Sequence, residues 1–156
     1  MLVAIVILKY IMVSGELCTI ATSKWTLIHL EKGLMRFTDE LVEKYETENK
    51  CTFDNYNFDR LKEPENSKLT FEYTVQRRDI DINKHMHNIC YLDLAYEALP
   101  KDIYENTSFD NIEIMYKTGS LLGEKVKCYY SNINNEHIIT IKSEDETKLH
   151  AIIKLY

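Results

Sequence analysis

The chain has 156 residues, 45% of them apolar and 28% charged, the size and balance of one globular domain. Its net charge of −6 argues against general nucleic-acid binding, which needs a basic face to displace phosphate counterions. Four cysteines, Cys18, Cys51, Cys90 and Cys128, stand far apart without a Cys-x-x-Cys pair, which excludes a clustered zinc site and predicts reduced, buried thiols.

The opening apolar run, Leu2 to Val13, is interrupted by Lys9 and is too short to span a bilayer. It lacks the basic flank and small-residue cleavage site of a signal peptide, so it reads as a buried strand. Residues 16–30, rich in Thr, Ile, Leu and Trp, predict a strand, and Lys32-Gly33 a turn. Thr38 is a possible N-cap for a short helix with Leu41 and Tyr45 on one face. Residues 49–68 are polar and read as a connection.

In "KLTFEYTVQ", Leu69, Phe71, Tyr73 and Val75 alternate with Thr70, Glu72, Thr74 and Gln76, the period of a strand with one buried face. "NICYLDLAYEALP" carries two apolar stripes, Ile89/Leu92/Tyr96/Leu99 and Tyr91/Ala95/Ala98, which predict a helix buried on nearly every side and ended by Pro100. Four strand-like runs follow, separated by turn signals at Gly119 and Gly123, at Asn134-Asn135 and in "SEDET". A strand, a buried helix and four strands fit an antiparallel sheet wrapped around a central helix, the α+β hotdog arrangement.

Between the alternating strand and the helix lie Asp79, Asp81, Asn83 and His85, spaced two apart. In an extended segment all four project to one side, beside the helix N-terminus, where free N–H groups favour developing negative charge. A histidine moves protons near neutral pH; Asp81 could orient it or activate water, and Asn83 could hold a carbonyl or the water. Asp and Asn equally favour turns and helix caps, so on the residues alone a structural turn explains the segment as well. His85 and His87 form a His-x-His pair, too sparse to predict a metal site.

"YTVQRRDIDINKHMHNICYLDLAYEALP" resembles the start of the second hotdog domain of acyl-acyl carrier protein thioesterases, whose motif has the form R-x-x-D-x-D-x-N-x-H-V-N-N-x-x-Y. Arg77 sits in its arginine-rich approach, and Asp79, Asp81, Asn83, His85, Asn88 and Tyr91 fall on motif positions. Upstream, "GELCTIATSKWTLIHLEKG" is similar to the last strands of the family's first hotdog, and "TDELVEKY" to the start of its linker. The resemblance implies an incomplete first hotdog over residues 1–48, a linker over 49–67 and a hotdog thioesterase domain over 68–156. It further implies a cytoplasmic chain that hydrolyses fatty acyl-acyl carrier protein thioesters without metal or organic cofactor. Asp81, Asn83 and His85 are its expected catalytic residues, with Asp79, His87, Asn88, Tyr91 and Ser120 in support. Arg77, Arg78 and Lys84 are expected to meet the acidic carrier protein.

Three departures stand out. His87 replaces a motif asparagine. Gly119 and Ser120 occupy the positions where the family has a further Glu, often followed by Cys. Glu113, six residues earlier, is about 20 Å away along a strand at ~3.3 Å per residue, and Glu124 lies beyond the Gly123 turn. If Gly119 marks a decayed acid, Gly119→Glu is expected to raise the rate. Last, most of the first hotdog is missing, so a homodimer or a complementing first-hotdog partner is expected to cover the apolar N-terminal strands. The alternatives are a non-catalytic truncated hotdog that binds an acyl chain or a partner subunit, and an acyl-coenzyme A thioesterase.

Overall fold

The computed structural model describes residues 4–25, 27–29, 33–35, 38–44, 53 and 59–156. The chain divides into two compact units, Met1–Asp59 and Arg60–Tyr156.

In the first unit, β1 (Ala4–Ile11) pairs antiparallel with β2 (Leu17–Trp25), from Ala4 opposite Trp25 to Ile11 opposite Leu17. Gly15, with φ +88°, makes the corner possible, since a left-handed residue here costs glycine little. A second hairpin joins β3 (Leu27–His29) to β4 (Gly33–Met35), and α1 spans Asp39–Glu43. The single strand expected over 16–30 is therefore two strands in separate ladders. Gly33 begins a strand rather than sitting in the turn; Lys32 and Tyr45 lie outside the described residues.

The run expected to be a buried strand does form β1, but its described end, Ile11, Met12 and Val13, is exposed because it forms the corner of a two-stranded hairpin. The buried-thiol expectation also needs correction. Cys18 is exposed and Cys90 half-buried, whereas Cys128 is fully buried, and burial pushes its thiol up to about 12. Cys51 lies outside the described residues.

The second unit is a five-stranded antiparallel sheet with a helix packed on it. Its strands are β5 (Lys68–Thr74), β6 (Ile112–Tyr116), β7 (Lys125–Ile133), β8 (Glu136–Ser143) and β9 (Leu149–Leu155), in the order β5-β7-β8-β9-β6. The alternation in β5 puts Phe71, Tyr73 and Val75 against the core. Leu69 is exposed because a register shift between Leu69 and Phe71 ends the alternation there. Asn134 and Asn135 join β7 to β8 with φ of 53° and 65°, the two-residue hairpin that asparagine accommodates.

Helix α2 (Asn88–Glu97) lays Tyr91, Leu94 and Ala95 onto Val126, Cys128, Ile139, Ile141 and Ile153. Ala95 and the following Ala98 are completely buried; a side chain without bulk lets helix and sheet approach closely. The helix is not buried on every side, as its two apolar stripes suggested. Ile89, Asp93 and Glu97, spaced one turn apart, are exposed, because the sheet covers one face only. As expected, α2 does not run through Pro100. Pro100 precedes α3 (Lys101–Asn106), since proline breaks a helix interior yet tolerates a helix start.

Candidate active site

The segment between β5 and α2 begins with a single 3-10 turn, Arg77–Asp79. Asp79 is buried to 6% exposure. Its Oδ2 accepts hydrogen bonds from the Tyr73 hydroxyl (2.8 Å) and the Gln76 N–H (2.7 Å), and its Oδ1 lies 3.7 Å from Arg78 Nε. Asp79 therefore fastens the start of the loop to β5 and points into protein.

Ile80 and Met86 then form an isolated antiparallel bridge, and the five residues between them fold back on themselves. The Asp81 N–H donates to the His85 carbonyl (2.9 Å) and the Lys84 N–H to the Asp81 carbonyl (3.0 Å). Asp81 Oδ1 accepts from the N–H groups of Asn83 (2.8 Å) and His85 (3.2 Å), and Oδ2 accepts from Asn83 Nδ2 (3.3 Å). Burial alone raises the Asp81 carboxyl pKa, but the bonds from His85 and Asn83 outweigh it and hold the group below its ordinary value. Lys84 turns the corner with φ 63°.

The segment is thus not extended, and Asp79, Asp81, Asn83 and His85 do not share one side. The short Asp81 side chain bonds its own backbone, and this local alternative wins over the extended form. What the fold brings together is narrower: Asp81 inside the loop as a staple, with Asn83 and His85 exposed on its rim. Among the described residues neither ring nitrogen of His85 is occupied by a hydrogen bond.

The ring of His85 rests on Gly119. A Cβ built at Gly119 meets His85 Cδ2 at 2.6 Å and Cγ at 3.0 Å, closer than side chains tolerate, so an unsubstituted α-carbon leaves the ring its seat. Ser120 is completely buried. Its N–H donates to Tyr91 Oη (2.9 Å), the Tyr91 hydroxyl donates to Ser120 Oγ (3.1 Å), and its carbonyl accepts from Met86 N–H (2.8 Å). Ser120 and Tyr91 are therefore tied to each other, joining the 117–124 loop to α2 and to the end of the 80–86 loop.

The helix N-terminus is less available than its position suggested. The His87 N–H donates to the Asp79 carbonyl (2.7 Å) and Cys90 N–H to the His87 carbonyl (2.9 Å). Ile89 N–H donates to His87 Nδ1 at 3.2 Å. Of these first groups only the Asn88 N–H is left without a partner in the described residues, while the Asn88 carbonyl accepts from Tyr116 Oη (3.2 Å). His87 is the N-cap of α2. Asparagine caps equally well, so His87→Asn is expected to leave the melting temperature nearly unchanged. His87→Ala is expected to cost about 1 kcal/mol, read by thermal or urea unfolding.

Of the three basic residues, Arg78 leans on Asp79, whereas Arg77 and Lys84 are exposed and make no ion pair among the described residues. The apolar side chains of Ile82, Leu121 and Leu122 are exposed. A cavity of about 290 Å³ lies elsewhere, lined by Leu61, Pro64, Ile133, Ile138 and Ile152 among others. No group of three or more His, Cys, Asp or Glu side chains among the described residues is arranged to hold a metal, and no helix there is long and apolar enough to cross a membrane.

The family model described as the acyl-ACP thioesterase C-terminal domain matches residues 62–154. The chain belongs to the acyl-acyl carrier protein thioesterase family. The match takes in the 80–86 loop, α2, strands β5 to β8 and all of β9 but its last residue. Oleoyl-acyl carrier protein thioesterase 2, chloroplastic, of Arabidopsis thaliana is 27% identical over 114 residues, covering 67% of this chain and 31% of that protein. An acyl-ACP thioesterase from Bacteroides thetaiotaomicron superposes with TM-score 0.76 at 22% identity, over 93% of this chain and 58% of that one. The 12:0-ACP thioesterase from Umbellularia californica gives TM-score 0.77 at 16% identity, over 92% and 57%. At these identities the structural likeness establishes the hotdog fold. The chain spans about a third of the length of the curated relatives it matches.

Three features of the candidate site gave no signal in the sequence. Tyr73 showed only as a core position of β5, yet its hydroxyl holds Asp79. Gly119 stood out only for the acid it lacks, and nothing in the sequence pointed to its close contact with the His85 ring. His150, whose Nδ1 lies 2.8 Å from the Thr118 carbonyl oxygen, gave no signal, because its partner is 32 residues away in the chain.

Proposed function

We propose that the chain hydrolyses fatty acyl-acyl carrier protein thioesters to free fatty acid and carrier thiol, with Asn83 and His85 as the catalytic residues and Asp81 holding them. The observation that carries this reading is the loop closed by Asp81, which presents on one exposed rim an amide with one N–H to spare and an imidazole with both nitrogens unoccupied. The Asn83 amide has a second N–H available for the thioester carbonyl oxygen. His85 takes a proton from water as the water oxygen attacks the carbonyl carbon. The tetrahedral intermediate then collapses, the carbon–sulfur bond breaks, and His85 returns the proton to the leaving sulfur. Donation from Asn83 and the Asn88 N–H stabilises the oxyanion, an effect worth roughly 3 kcal/mol per donor.

Arg77 and Lys84 flank the rim and are assigned to the acidic carrier protein, whose encounter they steer. Residues 1–48 are assigned to the tail of a first hotdog, 49–67 to the linker and 68–156 to the thioesterase domain, with a second copy or a first-hotdog partner completing the acyl pocket. The free Cys90 and Cys128 suit a reducing compartment, and we assign the chain to the cytoplasm; the plant relatives are named chloroplastic.

The test is thiol release by the purified chain from acyl-acyl carrier protein and from acyl-coenzyme A carrying the same acyl group. Release above buffer, faster from the carrier protein and slowed by salt, is the expected result. A faster coenzyme A reaction reassigns the carrier, and no release from either overturns the enzyme reading.

A further inference from the structure

The loop between β6 and β7 carries Gly119 and Ser120, and a polar pair fastens it. His150 on β9 is 1% exposed. Its Nδ1 donates to the Thr118 carbonyl at 2.8 Å, and its own carbonyl accepts from Lys117 N–H at 2.8 Å. The ring's other nitrogen, Nε2, lies 3.2 Å from Glu124 Oε1. That approach does not meet hydrogen-bond geometry, so the two side chains touch without a hydrogen bond. Glu124 Oε2 in turn accepts from Leu121 N–H at 2.9 Å, and Glu124 N–H donates to the Leu121 carbonyl at 3.1 Å. The two side chains thus grip the loop at Thr118 and at Leu121, one residue to either side of the Gly119-Ser120 pair.

We infer that Glu124 and His150 are positioning residues that set the place of His85 through Gly119. Three observations carry this. The His85 ring touches the Gly119 backbone so closely that no Cβ fits between them, so any movement of Gly119 moves the ring's seat. The grip combines a side chain from β9, His150, which holds Thr118, with one from the loop's own last residue, Glu124, which closes the turn onto Leu121. And a polar pair with one fully buried member, His150, and one half-buried member, Glu124, is a poor way to add stability, because apolar residues of similar volume usually do as well or better; its gain is orientation. Glu124, which the chain order puts too far away to stand in for the missing acid, acts on the same histidine from behind.

The inference rests on the hydrolase reading for its effect on rate, but not for its effect on the ring. The experiment follows the His85 ring Cδ2–H signal in two-dimensional proton–carbon spectra of the full chain, assigned by its loss in His85→Gln, alongside kcat and KM for acyl-carrier-protein hydrolysis. Glu124→Ala is expected to shift the signal and lower kcat by about 10- to 100-fold with KM unchanged, since small misplacements of a reacting group cost this much. Glu124→Gln keeps an acceptor for Leu121 N–H and is expected to restore both. If Glu124→Ala does not fold, His150→Asn, which retains a donor toward Thr118 but loses the contact with Glu124, must shift the same signal. A folded Glu124→Ala or His150→Asn protein with the signal in place overturns the inference whatever its rate. A shifted signal in a protein whose wild type releases no thiol upholds the brace and overturns only the hydrolase reading.

Discussion

Replacing His85 or Asn83 by alanine is expected to lower thiol release from acyl-acyl carrier protein by about 10²- to 10⁴-fold for the histidine, the usual size of a lost general base. For the asparagine the expected loss is about 10²- to 10³-fold, the size of a lost oxyanion donor. Both side chains are exposed on the rim of the loop, and neither is part of the core, so the unfolding midpoint is expected to stay within about 0.5 kcal/mol of wild type. Steady-state kinetics and thermal melts on the same preparations check both halves. An alanine variant at either position with wild-type kcat removes that residue from the mechanism.

Asp81→Ala is expected to act differently, through disorder of both groups at once. The same loosening follows from acid. The folded-state pKa of Asp81 is lowered from 3.8, so its contribution to the loop is fully present above that value. The contribution is lost only as pH falls through the lower, folded-state value. The amide signals of Asn83 and His85, which Asp81 Oδ1 accepts, report this directly.

Gly119→Ala is expected to lower kcat by about 10²-fold, the cost of an ångström-scale misplacement, with little change in stability. The added Cβ falls 2.6 Å from His85 Cδ2 and 3.3 Å from His85 Cβ. Because the histidine is exposed, its ring swings outward at small energetic cost. Gly119→Glu carries the same collision, which reverses the expectation that a restored acid raises the rate. It is expected to be no faster than Gly119→Ala in the thiol-release assay. A rate above wild type for Gly119→Glu shows instead that the ring finds a new seat beside the carboxylate, and that the glycine is a lost acid after all.

What the sequence made legible was whatever depends on near neighbours. The alternation from Leu69 to Val75, the Asn134-Asn135 hairpin and the run of strands after the helix each state their geometry in a few residues, and they suffice for the hotdog sheet. The reactive loop was legible as residues but not as a shape. Two-residue spacing suggested an extended segment, whereas Asp81 competes for the backbone N–H groups of Asn83 and His85 and closes the chain into a loop. The full burial expected of α2 depended on its two apolar stripes; the exposure of Ile89 follows from which face the sheet covers. Ser120, read as a polar helper, is tied to Tyr91, and the grip of His150 on Thr118 links residues whose pairing no local pattern encodes.

The staple at Asp81 has one further consequence. Every bond it makes ends within four residues, and the Ile80–Met86 bridge closes the neck behind it. Asn83 and His85 are therefore held in register with each other by the loop itself, and the Gly119 contact then sets the His85 ring against the rest of the domain.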